Sequence, residues 1–225
     1  MEPGRLILIP TPVGNLEDMT FRAIRYLKEA DVVLAEDTRV SGRLFQHFEI
    51  QQKAKAFHLA NEHKVVDYWI DQLKEGKTIA IVSDAGTPGI SDPGYMLSAR
   101  CRDNDITVEC LPGATAFVPA LVASGLPTDK FYFEGFLPHK KGKQTRMSVV
   151  TEMTCTVVMY ESPHRIAKSM RMLCDYCPDR RVTLAREISK KFEEYINGTV
   201  LEVAEITETR DLKGEMVIIL EGKND

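Results

Sequence analysis

A chain of 225 residues, 44% of them hydrophobic, holds enough apolar material for one large domain or two smaller ones. Its net charge of −4 excludes a protein that grips nucleic acid through overall charge, so any basic surface is local. No apolar run reaches the ~20 residues of a membrane helix, and MEPGRLILIP is too short for a signal-peptide core, so the expected compartment is cytoplasmic.

In chain order, LILI (6–9), VVLAE (32–36), AKAFH (54–58), TIAIV (78–82) and ITVEC (106–110) predict strands, AKAFH being the weakest. Between the first two, TFRAIRYLKEA (20–30) predicts an amphipathic helix capped by Thr20. Residues 111–129 read as a loop, a helix broken or capped near Pro119, and a linker. A domain boundary is expected near 115–127, dividing the chain into 1–115 and 116–225. Beyond it, KFYFEG (130–135), TCTVVMYE (154–161), RVTLARE (181–187) and MVIIL (216–220) predict strands. SPHRIAKSMRMLCDYC (162–177) predicts a helix with Ser162 as N-cap and Pro163 in its first turn. This alternation implies an α/β chain of two domains with mainly parallel sheets and right-handed crossovers. Cys174 and Cys177 form a lone CxxC without a second ligand pair, so no metal site is expected and the five cysteines read as ordinary thiols.

Three loops rich in glycine and proline follow strands: PTPVGN (10–15), SDAGTPGISDPG (83–94) and LPGAT (111–115). Strands of one parallel sheet share an end, so all three loops emerge at the edge where open α/β sheets bind ligands. Residues 6–21, 83–99 and 111–129 carry no Lys or Arg, and neither GxGxxG nor GxxxxGK[ST] occurs. A di- or triphosphate would call for a cation or one of these fingerprints. Asp84 and Asp92 instead suit hydroxyls, an ammonium or another positive centre. S-adenosylmethionine, with a sulfonium, an ammonium, a ribose diol and no phosphate, fits that chemistry.

The segments IPTPVGNLEDMTFRA (9–23), ADVVLAEDTR (30–39), VSDAGTPGISDPG (82–94), LPGATA (111–116), FEGFLP (133–138), YESPHRI (160–166), LAREISKKFEE (184–194) and KGEMVIILEG (213–222) span nearly the whole chain in order. On these motifs the chain resembles the class III S-adenosylmethionine methyltransferases of the tetrapyrrole methylase superfamily. Within it, AEDTR with SDAGTPGISDPG is similar to the branch that methylates a cytidine ribose 2′-hydroxyl in the decoding centre of bacterial small-subunit (16S) ribosomal RNA. The resemblance implies a homodimer of two-domain chains with S-adenosylmethionine in a cleft between the domains. Its partner would be small-subunit ribosomal RNA or the assembled small subunit, not DNA. The expected cofactor contacts are Leu8, Pro10, Pro12, Gly14, Asp84, Gly86, Thr87, Pro88, Gly113, Ala114 and Thr115 in the first domain. In the second they are Tyr160, Glu161, Ser162, Ala185, Glu215 and Met216. Many relatives continue past the last strand into a small helical segment, whereas this sequence runs to Asp225, so less than the family's full RNA grip is expected.

PHKKGKQTRMSVVT (138–151) carries Lys140, Lys141, Lys143 and Arg146 and no acid, and is expected to contact RNA as a basic loop. Arg39, Arg43 and His47 form a second basic stripe at helical spacing. His164 and Arg165 in YESPHRI join them as expected RNA contacts. Ribose 2′-hydroxyl is a weak acid, so a base, worth about 10²–10⁴-fold, or a cation that stabilises the alkoxide would help. Glu36, Asp37, Arg186, Glu187 and Lys190 are available, and Asp37, Glu187 and Lys190 are the expected catalytic set. Asp37 also reads as a helix N-cap and Glu187–Lys190 as a structural ion pair. Competing readings are a precorrin-type small-molecule methyltransferase, opposed by the basic segment and AEDTR, and a non-catalytic adenosyl-ligand or RNA-binding protein, separable by turnover. A dinucleotide-dependent oxidoreductase is disfavoured by the missing fingerprint.

Overall fold

The computed structural model describes residues 4–139 and 141–223. The chain divides into two units, Met1–Thr115 and Ala116–Asp225.

The first unit has five short strands: β1 (Arg5–Leu8), β2 (Val32–Ala35), β3 (Ala54–Ala56), β4 (Ile79–Val82) and β5 (Thr107–Cys110). They pair in the order β3-β2-β4-β1-β5, and every pair is parallel. A parallel neighbour needs a crossover. Helices α1 (Phe21–Glu29), α2 (Thr38–His47), α3 (Glu62–Lys74) and α4 (Tyr95–Asp103) supply one between each successive pair. Leu6, Leu8, Leu34, Ile79 and Ile81 pack against Val66, Trp69 and Leu73 of α3 and Leu97 of α4. Their neighbours Ile7, Val33, Ala80 and Val82 face the other way, onto Ala23 and Leu27 of α1 and Phe45 of α2. Both faces are covered, which is why these strands read as unbroken apolar runs. Each fully buried Leu or Ile contributes about 1.5–3 kcal/mol. Thr20 caps α1 as expected, its hydroxyl accepting the Ala23 N–H at 3.1 Å.

The second unit opens with α5 (Phe117–Ala123), in which Pro119 sits in the first turn, where its missing N–H costs nothing. Strand β6 (Phe131–Phe136), helix α6 (Lys143–Thr151), β7 (Thr156–Glu161), α7 (Ile166–Cys174), β8 (Arg181–Arg186), β9 (Glu194–Thr199), α8 (Val200–Thr209) and β10 (Met216–Leu220) follow. The sheet order is β6-β7-β10-β8-β9. Mainly parallel pairing holds for the first sheet only. Here β6–β7 is parallel, while β7–β10, β10–β8 and β8–β9 are antiparallel. The cause is β9, which the sequence pattern did not mark. Residues 187–193 are too few for a crossover of a dozen or more, so β9 returns beside β8 as a hairpin. That reversal turns the following β9-α8-β10 unit round, and β10 inserts between β7 and β8.

Helices α6, α7 and α8 cover one face of this sheet through Met147, Val150, Met170, Leu173, Val200 and Val203. On the other face, Ala120 and Leu121 of α5 pack on Val158, Ala185, Val217 and Ile219. The expected cap at Ser162 is a correction. Helix α7 begins at Ile166, and its N-cap is Arg165 without a side-chain cap bond. Ser162 instead gives its N–H to Glu161 Oε1 at 2.9 Å, and its carbonyl accepts the N–H groups of Arg165 and Ile166. The turn is thus folded round the Glu161 carboxylate.

Candidate functional site

The carboxyl ends of β4, β1 and β5 are neighbours, so the three glycine- and proline-rich loops lie side by side. They are joined mostly through main chain. Thr11 and Gly86 exchange two backbone hydrogen bonds of 2.9 Å. Thr87 Oγ1 donates to the Ala114 carbonyl at 3.0 Å and lies 2.6 Å from Thr115 Oγ1. Gly113 packs so closely on Pro10 that a Cβ there would stand 2.6 Å from the proline ring. Leu8 is buried at the end of β1, and Pro88 is buried within its loop. The expected contacts of the first unit therefore form one edge.

A step along the same edge, Glu36 and Asp37 follow β2, and His58 follows Phe57 just past β3. Asp37 caps α2. Its Oδ1 accepts the Arg39 N–H at 2.8 Å, and Arg39 Nη2 lies 2.5 Å from Oδ2. The Arg39 hydrogen bonds hold the Asp37 carboxyl far below its ordinary value. That makes it a poor proton acceptor. Its backbone N–H donates to Asp84 Oδ1 at 3.0 Å. Burial, then the charge of Asp84, raise the Glu36 carboxyl. Asp84 is itself raised, first by burial. Glu36 is therefore the better base on this edge, and His58 is the neighbouring imidazole that sequence reasoning passed over. Its only signal was its place after a weak strand. A cavity of about 260 Å³ opens between the β1 and β4 loops and α2, lined by Pro12, Gly14, Asp84 and Arg43 among others.

The second unit gathers charged side chains at the matching edge of its sheet. Register places Met216 opposite both Glu161 and Arg186, and Arg186 opposite Glu194. Lys190 Nζ donates to Glu187 Oε1 at 3.0 Å and to Glu215 Oε2 at 2.9 Å. Burial pulls the Lys190 ammonium down, but the hydrogen bonds to Glu215 and Glu187 outweigh it and the group is held above its ordinary value. Glu187 and Ser189 adopt φ of 52° and 65°, a left-handed backbone that costs non-glycine residues about 1–3 kcal/mol each. Gly214 leaves the space Glu187 occupies, since a Cβ there would lie 2.0 Å from Glu187 Oε1. Tyr160 stacks edge-on with Phe133 at 5.2 Å. Ala185 and Met216 are buried, main chain included.

Several expected contacts are corrected. Lys140 lies outside the described residues. Lys141 is exposed. Lys143 and Arg146 belong to α6, not to an open loop. Lys143 is buried, with Nζ 2.8 Å from Ser169 Oγ and 3.5 Å from Glu161 Oε2. Arg165 Nε lies 3.0 Å from Glu161 Oε1. Glu161 is thus turned inward, into a buried network with two residues expected on RNA. Burial without these partners would be costly for each charge. Arg146 is bound by the Glu134 carboxylate and by Tyr132 Oη at 3.0 Å. The acids missing from 138–151 are supplied by β6 and β7. Arg39, Arg43, His47 and His164 remain exposed. Among the described residues, no group of three or more His, Cys, Asp or Glu could hold a metal ion, and no helix is long and apolar enough to cross a membrane. Cys177 is buried and donates to the Leu173 carbonyl at 3.6 Å, and burial raises both thiols of the CxxC pair.

Residues 5–204 match the family described as Tetrapyrrole (Corrin/Porphyrin) Methylases. A Halalkalibacterium halodurans protein named Ribosomal RNA small subunit methyltransferase I is 45% identical over 225 residues, covering 100% of this chain and 78% of that protein. A Thermotoga maritima protein of the same name is 40% identical over 220 residues, 98% and 99% of the two chains. Among solved structures, a Thermus thermophilus uroporphyrin-III C-methyl transferase complexed with S-adenyl homocysteine superposes with a TM-score of 0.63 at 20% identity, covering 97% of each chain.

Proposed function

Because the chain belongs to the tetrapyrrole (corrin/porphyrin) methylase family, we propose that it transfers a methyl group from S-adenosylmethionine to a ribose 2′-hydroxyl of small-subunit ribosomal RNA, the acceptor being a cytidine of the decoding centre. The observation that carries this reading is identity of 40–45% over 98–100% of the chain with proteins named for small-subunit ribosomal RNA methylation. The uroporphyrin enzyme, at 20%, shares the fold.

The residues present fit the methyl donor. The first unit offers main chain, the hydroxyls of Thr87 and Thr115 and the Ala114 carbonyl, and its three loops contain no Lys or Arg. Gly86, Thr87, Gly113, Ala114 and Thr115 would hold the adenosyl part. When bound, S-adenosylmethionine supplies an electrophilic methyl group on its sulfonium. On this reading Lys190, held protonated by Glu187 and Glu215, stabilises the developing 2′-alkoxide, and Glu187 positions Lys190. Glu36 is the carboxylate suited to take the hydroxyl proton, and Asp37 holds Arg39 at the start of α2. Exposed Arg43, Lys141 and His164 offer phosphate contacts.

We further propose that the chain acts as a homodimer in the cytoplasm. Val118 and Val122 of α5 and Phe131 of the edge strand β6 are exposed, an apolar surface that a second copy would cover. Light scattering at micromolar concentration tests this.

The function is tested by incubating the protein with labelled S-adenosylmethionine and small subunits from cells lacking the gene, then mapping ribose methylation. One labelled 2′-O-methylcytidine in the decoding centre is the expected product. Label on a corrin or porphyrin precursor, with none on the subunit, would contradict it.

A further inference from the structure

The cavity in the first unit divides the glycine-rich edge into two regions of different chemistry. Towards β5, the loops close on one another through Gly86, Thr87, Gly113 and Thr115. Towards α2 they stand apart, leaving about 260 Å³. Leu16, Val40 and Leu44 give this space apolar walls. Arg43 and His47, one turn apart on the exposed face of α2, supply cationic and hydrogen-bonding groups, and Asp84 supplies a carboxylate. The volume is just below the ~300–1,000 Å³ of sites for drug-sized ligands.

We propose that this cavity binds one unstacked nucleotide of the RNA substrate. The inference rests on the RNA-methyltransferase reading and deepens it. The base lies against Leu16, Val40 and Leu44, the phosphate is held by Arg43 and His47, and Asp84 accepts a hydrogen bond from a base amine or a ribose hydroxyl. Single-stranded RNA is recognised in this way, through splayed bases packed on side chains and phosphates paired with cations. Among the described residues Arg43 forms no ion pair, unlike Arg39, which Asp37 already neutralises. Pro12, Gly14 and Asp84 then serve the acceptor, and the methyl donor keeps the β5 side of the edge.

The test is the Val40→Trp variant. Val40 is 38% exposed, so the indole fills the cavity without entering the core. Arg43→Ala is the second variant. The readouts are KM for unmethylated small subunits, S-adenosylhomocysteine affinity by calorimetry, and Tm. Val40→Trp is expected to raise KM at least about tenfold, with S-adenosylhomocysteine affinity within about twofold and Tm unchanged. Arg43→Ala is expected to raise KM less, with an effect that fades as salt rises. The proposal is overturned if Val40→Trp leaves KM within about twofold, or if it weakens S-adenosylhomocysteine in step with RNA, which would give the cavity to the methyl donor. A parent protein that methylates no small subunit would instead remove the reading on which the proposal rests.

Discussion

The two sheet edges solve different problems with different parts of the chain. The first unit's edge is main chain: Thr11 bonded to Gly86, Thr87 to Ala114, Gly113 pressed on Pro10. The second unit's edge is side chain: Lys190 between Glu187 and Glu215, and Arg186 and Arg210 on Glu194. A binding surface made of backbone tolerates exchange of side chains but not an added Cβ. A charge cluster tolerates neither a lost charge nor a displaced partner. On the proposed reading the first edge governs affinity for the methyl donor and the second governs the rate of transfer.

Lys190→Met should have the largest effect. It is expected to lower kcat by about 10²-fold or more, with S-adenosylhomocysteine affinity unchanged. In the parent, Lys190 is held above its ordinary value, so the pH–rate profile should show no fall from this group below about pH 10. Gly113→Ala comes next. The methyl would collide with the rigid Pro10 ring and push two loops apart, weakening S-adenosylhomocysteine by roughly 10- to 100-fold while kcat at saturation changes little. Calorimetry with single-turnover kinetics separates the two. Gly214→Ala should displace the Glu187 carboxylate from Lys190 and reduce kcat about tenfold, by the same kinetic reading. If kcat is unaffected, Glu187 does not position Lys190.

The smallest effect concerns stability. Burial and Asp84 raise the Glu36 carboxyl in the folded chain. A raised carboxyl favours its neutral form, so its contribution is full below the unfolded value and is lost as pH rises through the folded one. Glu36→Gln should therefore melt above the parent at pH 7, by at most a few degrees. The gap should close near pH 4. A gap that persists there would assign the effect to packing.

The first unit was largely legible in its sequence. Its three central strands, β2, β4 and β1, are buried on both faces and so print as apolar runs, and its candidate site is made of glycine and proline, whose backbone demands are local. The second unit was less so. EYINGT, the edge strand β9, is half exposed and follows the charged run KKFE, so no apolar run announced it, and missing it hid the reversal of β10. The cations of α6 misled for a related reason. Lys143 finds Glu161 and Arg146 finds Glu134, partners 18 and 12 residues away that only the fold brings near. Ser162 and Thr20 carry the same capping signal, but the Glu161 carboxylate takes the Ser162 N–H and moves the helix start to Ile166.

The most direct test of the division between the two edges is single-turnover methyl transfer to small subunits at saturating S-adenosylmethionine, for the parent, Gly113→Ala and Lys190→Met side by side. The account predicts that saturation restores Gly113→Ala to within a few-fold of the parent and leaves Lys190→Met at least about 10²-fold slower. Lys190→Met at the parent rate, with Gly113→Ala slow at every concentration of methyl donor, would contradict it.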